Sequence, residues 1–143
     1  ISAYSLTEMI RLFSPKMNDG ASIMALTYYG STRYMQSYNV MGVAKAALET
    51  SIRYLSVDMG DRGIRVNAIS AGPMRTLAGA VINKSRKIYN YTIENSPIKK
   101  PLSLEDIGKS SVYLMSDLSK GVTGEILYVD NGYNNVGMSI QDL

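Results

Sequence analysis

Residues 38–73 read YNVMGVAKAALETSIRYLSVDMGDRGIRVNAISAGP. From Tyr38 to about Gly60 the stretch is rich in Ala and Leu and free of proline, the pattern of a long helix. Gly60 and Gly63 stand just past its end, where glycine takes the left-handed backbone that stops a helix. Ile64 to Ile69 reads as a short buried strand, and it runs into the sharp loop Ser70-Ala71-Gly72-Pro73. Gly42, Ala44, Ala46 and Ala47 are small, so another backbone or a ligand can approach the helix closely.

The alternation extends outward in both directions. Tyr4, Leu6, Met9, Ile10 and Phe13 are spaced for one apolar stripe of a helix over 4–13, which Ser14-Pro15 ends or kinks. Asn18-Asp19-Gly20 is a turn, and Ala21 to Thr27 is an apolar run of the kind buried in parallel sheets. A loop carrying Gly30 covers Tyr28 to Ser37. Residues 74–96 mix apolar and polar side chains, and short mobile helices are expected there. Ser103 reads as an N-cap with Asp106 as its capping-box acid, opening a helix to about Ser116. Gly124 precedes a third strand, Glu125 to Asp130. Helix and strand alternate throughout, so the fold class is α/β with a parallel sheet flanked by helices.

Three strands are few for such a sheet, and no G-x-G-x-x-G phosphate turn occurs. The expectation is one partial domain over 1–143, the C-terminal half of a Rossmann-like doubly wound sheet. The glycine-rich half that would hold the adenosine end of a dinucleotide is absent from this sequence.

Composition narrows the chemistry. The 143 residues include neither Cys nor His, which excludes thiolate nucleophiles, Ser-His-Asp triads and Cys- or His-ligated metals. Acid–base chemistry near neutral pH must then fall to Tyr, Lys, Asp or Glu. No apolar run approaches twenty residues, the N-terminus lacks the charged region of a signal peptide, and a cysteine-free chain fits the cytoplasm. The formal charge is +3. The clusters Lys84, Arg86, Lys87 and Lys99, Lys100 are too short to read as a nucleic-acid surface; they are solvated loop or a patch for an anionic partner. Expected partners thus include neither nucleic acid nor membrane.

Tyr38 and Lys45 stand seven residues apart, with Tyr28 ten residues before the first. On a continuous helix the pair shares one face, with Cα atoms about 10 Å apart along the axis. A phenol so placed can meet a reacting oxygen while the ammonium grips a hydroxyl-rich group, and the cation eases a developing phenolate. Singly, Tyr38 also reads as a half-buried packing residue and Lys45 as a solvated lysine. Tyr29 reads as packing, and Asn67 as a structural hydrogen-bonding residue.

Tyr28-x9-Tyr38-x6-Lys45 resembles the signature of bacterial enoyl-acyl-carrier-protein reductases, a branch of the short-chain dehydrogenase/reductase superfamily. The blocks Thr27-Tyr28-Tyr29-Gly30, Tyr38 to Ala46, Arg65 to Pro73, Arg75-Thr76-Leu77 and Gly124-Glu125 match in order and spacing, over essentially the whole chain. The resemblance implies NADH (NAD+) as cofactor and an enoyl thioester on acyl carrier protein as substrate. It implies Tyr38 as the enolate-stabilising donor, Lys45 on the nicotinamide ribose, and Tyr28 beside the thioester. Thr27, Gly72, Pro73, Met74 and Thr76 would contact cofactor, and Leu77, Ile82 and Ile88 would line a substrate loop over 77–91. Ser85 stands where the family often carries an aromatic residue.

The resemblance also implies a homotetramer, with the long helix and the helix before it against a neighbour. Tyr133, Met138 and Ile140 have little chain left to cover them, which suits an interface. Two other functions remain open: a carbonyl reductase of the same superfamily, and a non-catalytic oligomerisation module.

Overall fold

The computed structural model describes residues 2–74, 76 and 85–138, the side chain of Ser85 excepted. Three parallel strands form one sheet in the order β1-β2-β3: β1 (Ser22–Thr27), β2 (Arg65–Ala71) and β3 (Ile126–Val129). Helix α1 (Tyr4–Phe13) precedes β1, α2 (Val40–Asp58) crosses from β1 to β2, and α3 (Ser85–Asn95) and α4 (Leu104–Met115) lie between β2 and β3. Ile10 and Ile52 of α1 and α2 bury against Val66 and Ala68 on one side of the sheet. Ile107 and Leu114 of α4 bury with Ile69 on the other. Each fully buried aliphatic side chain stabilises the fold by about 1.5–3 kcal/mol. The expected α/β sheet with helices on both faces is what the chain forms.

Local chemistry explains the boundaries. The Ser103 hydroxyl accepts from Asp106 N at 3.1 Å and Ser103 N donates to Asp106 Oδ2 at 3.0 Å, the expected capping box. Pro15 sits in the 3-10 turn Ser14–Lys16 that ends α1. Gly63 takes φ 64° after the 3-10 turn Gly60–Arg62, whereas Gly60 needs no positive φ.

One expectation changes. Helix α2 begins at Val40, not Tyr38: Ser37 (φ 66°) and Asn39 (φ 41°) turn the backbone away from a helical path. Tyr38 therefore lies in the turn before the helix and does not share a continuous helical face with Lys45. Of the stretch 74–96 where short helices are expected, residues 85–95 form a helix of 11 residues, and 75 and 77–84 lie outside the described residues.

Buried polar side chains fasten the layers. Arg65, at the start of β2, is 8% exposed. Its Nη1 donates to Leu114 O (2.9 Å) and Ser119 Oγ (2.7 Å), and its Nη2 to Ser116 O (3.0 Å). These carbonyls belong to the end of α4, where they lack intrahelical partners and the helix dipole is negative. Asn67 donates to Val122 O and accepts from Glu125 N, tying the turn that leads into β3.

The hydrogen-bond alternation fixes which way each strand faces. Arg65 N donates to Ala21 O, so Ala21, Ile23 and Ala25 turn their backbone groups toward β2. The groups of Ser22, Met24 and Leu26 point to the outer edge of β1. A cleft of about 630 Å³ runs along that edge, lined by Leu6, Met9 and Phe13 of α1, Ile23 and Leu26 of β1, and Lys45.

Candidate functional site

The register sets Thr27, Ser70 and Tyr128 side by side at the carboxyl ends of the three strands. This is where open α/β sheets bind ligands. From Thr27 the chain passes through Tyr28 into the 3-10 turn Tyr29–Ser31 and returns at Tyr38. The rings of Tyr28 and Tyr38 meet edge to face, centroids 5.0 Å apart at 65°.

Two glycines make that meeting possible. A Cβ on Gly30 would lie 2.5 Å from Tyr38 Cδ1, and one on Gly42 would lie 2.8 Å from Gly30 O. The turn thus rests directly on the first turn of α2. Gly30→Ala should force the Tyr38 ring aside at a cost of about 1–3 kcal/mol. A lowered thermal midpoint would register it; an unchanged midpoint would mean that the ring yields freely.

Burial raises the Tyr28 phenol well above its ordinary value, with Tyr38, Tyr133 and Tyr29 adding to the effect. Burial also raises Tyr38. Both phenols are therefore protonated hydrogen-bond donors at neutral pH. Lys45 is half-buried, and its Nζ donates to Leu26 O at 2.8 Å. Burial lowers its pKa, and Glu49 opposes that shift.

The remaining expected residues fall in several places. Thr27 is buried, and its hydroxyl donates to Glu49 Oε1 at 2.7 Å. Gly72 is buried with its N–H on Val129 O, and a Cβ there would lie 3.0 Å from Asp130 Cα. Pro73 follows, beside Tyr89 and Thr92 of α3, and Met74 packs on the Ile69 core. Thr76 is exposed, and Ile88 is half-buried on α3. Leu77, Ile82, Arg75 and Ile140 lie outside the described residues. Tyr133 is not left uncovered: its ring meets Tyr29 edge to face at 5.7 Å.

Two residues here escaped the sequence reading. Ser70 is 1% exposed, and its hydroxyl has no hydrogen-bond partner among the described residues. Glu49 is 2% exposed on α2. The available signal was chemical type: a carboxylate four residues after Lys45, and a hydroxyl in a strand otherwise buried.

A family model described as enoyl-(acyl carrier protein) reductase matches residues 1–134. The chain belongs to this family. It is 56% identical over 142 residues to enoyl-acyl-carrier-protein reductase (NADH) 1 of Rhizobium meliloti (strain 1021), spanning 99% of this chain and 52% of that protein. Among solved structures, FabI from Candidatus Liberibacter asiaticus superposes with TM-score 0.92 at 55% identity, over 96% of this chain and 53% of that one. The enoyl-acyl-carrier-protein reductase of Anaplasma phagocytophilum, in complex with NAD, gives TM-score 0.92 at 50% identity, over 97% and 53%. The chain thus spans about half the length of the reductases it matches.

Within the reductase family frame, the Tyr28, Tyr38 and Lys45 signature maps onto a turn, a second turn and a helix that meet at the end of β1. Of the three, the two tyrosines are in ring contact, and the lysine reaches back to the strand.

Proposed function

We propose that the full-length protein containing this chain is an NADH-dependent enoyl-acyl-carrier-protein reductase of fatty-acid elongation. It would reduce the trans-2 double bond of enoyl thioesters. The observation that carries this reading is the pair of half-buried phenols packed edge to face at the carboxyl end of β1.

The donor set fits the cofactor. An ammonium has three N–H donors, and the Lys45–Leu26 bond occupies one, so others can serve ribose hydroxyls. The orphaned Ser70 hydroxyl adds a buried polar atom at the same end of the sheet. Lys45 would hold the nicotinamide ribose, Gly72, Pro73 and Met74 would face the carboxamide, and Thr76 would meet the pyrophosphate. Thr27 would contribute at the base of the site. Bound NADH supplies the hydride.

The chain's own residues do the rest. The Tyr38 hydroxyl donates to the thioester carbonyl and stabilises the negative charge that grows there as an enolate. Its raised pKa keeps the donated proton on the hydroxyl at neutral pH. Tyr28 packs on the Tyr38 ring, fixes its direction and lines the thioester site. Leu77, Ile82 and Ile88 would cover the acyl chain and exclude water.

The test is NADH oxidation by full-length protein with a crotonyl thioester. Turnover supports the reading. Consumption of a keto thioester with none of the enoyl thioester overturns it in favour of a carbonyl reductase.

The protein is proposed to act as a homotetramer in the cytoplasm. The outer face of α2 carries Val40, Val43, Ala47, Thr50, Tyr54 and Val57 at alternating steps of three and four. Val40 and Val57 are 78% exposed, and Val43 and Tyr54 72%. Such a stripe suits a neighbouring helix. Val43→Glu should shift the full-length protein to a smaller species in size measurements, and an unshifted tetramer would exclude this face. The cytoplasmic assignment rests on the cysteine-free sequence.

A further inference from the structure

Glu49 has no part in the reaction described above, yet it is 2% exposed. Burying a carboxylate costs several kcal/mol unless hydrogen bonds and an opposite charge offset it. Thr27 supplies the hydrogen bond, Oγ1 to Oε1 at 2.7 Å. Lys45 lies one helical turn earlier on α2 and interacts with Glu49 electrostatically.

The two α2 residues grip consecutive residues of β1. Lys45 Nζ donates to Leu26 O at 2.8 Å, and Glu49 accepts from the Thr27 hydroxyl. Helix and strand are thus pinned at two adjacent rungs, at the strand end that opens on the site. A carboxylate serving only to satisfy Thr27 needs no charge. One that holds an ammonium does.

We propose that Glu49 is a positioning residue for Lys45: anchored by the Thr27 hydroxyl, it holds the ammonium at the carboxyl end of β1, where the cofactor ribose is gripped. This rests on the reductase reading for the identity of the cofactor. Thr27 then acts through Glu49 as well as at the base of the site. The charge matters because burial opposes the Lys45 proton and Glu49 favours it.

The experiment is a double-mutant cycle in full-length protein, read by NADH binding through fluorescence and separately by steady-state kinetics. Glu49→Gln keeps an oxygen for the Thr27 hydroxyl but removes the charge. It should raise the Kd and KM for NADH about tenfold, because the ammonium is no longer held at the ribose, and leave kcat and the KM of the crotonyl thioester near wild type. In a Lys45→Met background, Glu49→Gln should add nothing, because the group it acts through is gone. Wild-type NADH affinity in Glu49→Gln, or an equal effect with and without Lys45, would overturn the proposal and leave Glu49 a structural partner of Thr27. Should Glu49→Gln fail to fold, Thr27→Val replaces it in the cycle. A weakened NADH affinity that vanishes in the Lys45→Met background supports the proposal; an unchanged affinity overturns it. Wild-type protein that binds NADH without reducing an enoyl thioester would sink the reductase reading alone, since the cycle is still read by binding. Wild-type protein that does not bind NADH would sink both.

Discussion

Tyr38→Phe in full-length protein should lower kcat about 10²- to 10³-fold, while KM for NADH stays within about twofold. The substitution deletes one hydroxyl and keeps the ring, so the edge-to-face contact with Tyr28 and the fit against Gly30 survive. On the proposed role, what is lost is the donor that meets the charge growing on the thioester oxygen. A turnover near wild type would show that another group stabilises the enolate. The pH profile separates the two roles further. Burial lowers the pKa of Lys45 and raises that of Tyr38. As pH climbs, loss of the lysine's charge, which burial moves to lower pH, should appear as a rise in KM for NADH, and loss of the Tyr38 proton, which burial moves to higher pH, as a fall in kcat. An alkaline rise in KM for NADH that is unchanged in Tyr38→Phe but also kept in Lys45→Met would contradict the assignment of cofactor grip to Lys45.

Arg65→Ala should destabilise the protein by about 3 kcal/mol, lowering the thermal midpoint by roughly 5–10 °C. The guanidinium is buried and donates to two carbonyls at the end of α4 and to the Ser119 hydroxyl in the turn after it. Removing it empties a packed volume and withdraws a positive charge from the negative end of a helix. Arg65→Lys should recover only part of the loss, since one ammonium cannot reproduce the fork that reaches Leu114 and Ser116 together. An alanine variant as stable as wild type would mean that Ser22 and Ser119, which also donate to Leu114 O, suffice to close the helix end.

The sheet and most of its helices were legible because they follow local rules. The apolar stripe of α1, the Ser103 capping box and the apolar run before Tyr28 each declare themselves within a few residues. The start of α2 did not. Helical periodicity runs smoothly back through Met41 and Val40 into Asn39 and Tyr38, and nothing in it marks the positive φ at Ser37 and Asn39. The reading of the prominent Tyr-Lys spacing therefore rested on a shared helical face that Tyr38 does not have. Gly42 was legible as a site of close approach, but its partner, Gly30 O, lay across a loop. The hydrogen bonding of Arg65 and Glu49 was not legible at all. Their partners stand 49–54 and 22 residues away, beyond the reach of any local pattern.

The bond from Lys45 to Leu26 O also bears on solubility. That carbonyl points to the outer edge of β1, the side that β2 does not cover. Unpaired edges of flat, apolar strands invite other chains to add on, and a charged lysine laid across the edge is one of the commonest guards against it. Lys45 lies across that edge, so a strand approaching beside Leu26 would first have to displace the ammonium from its carbonyl.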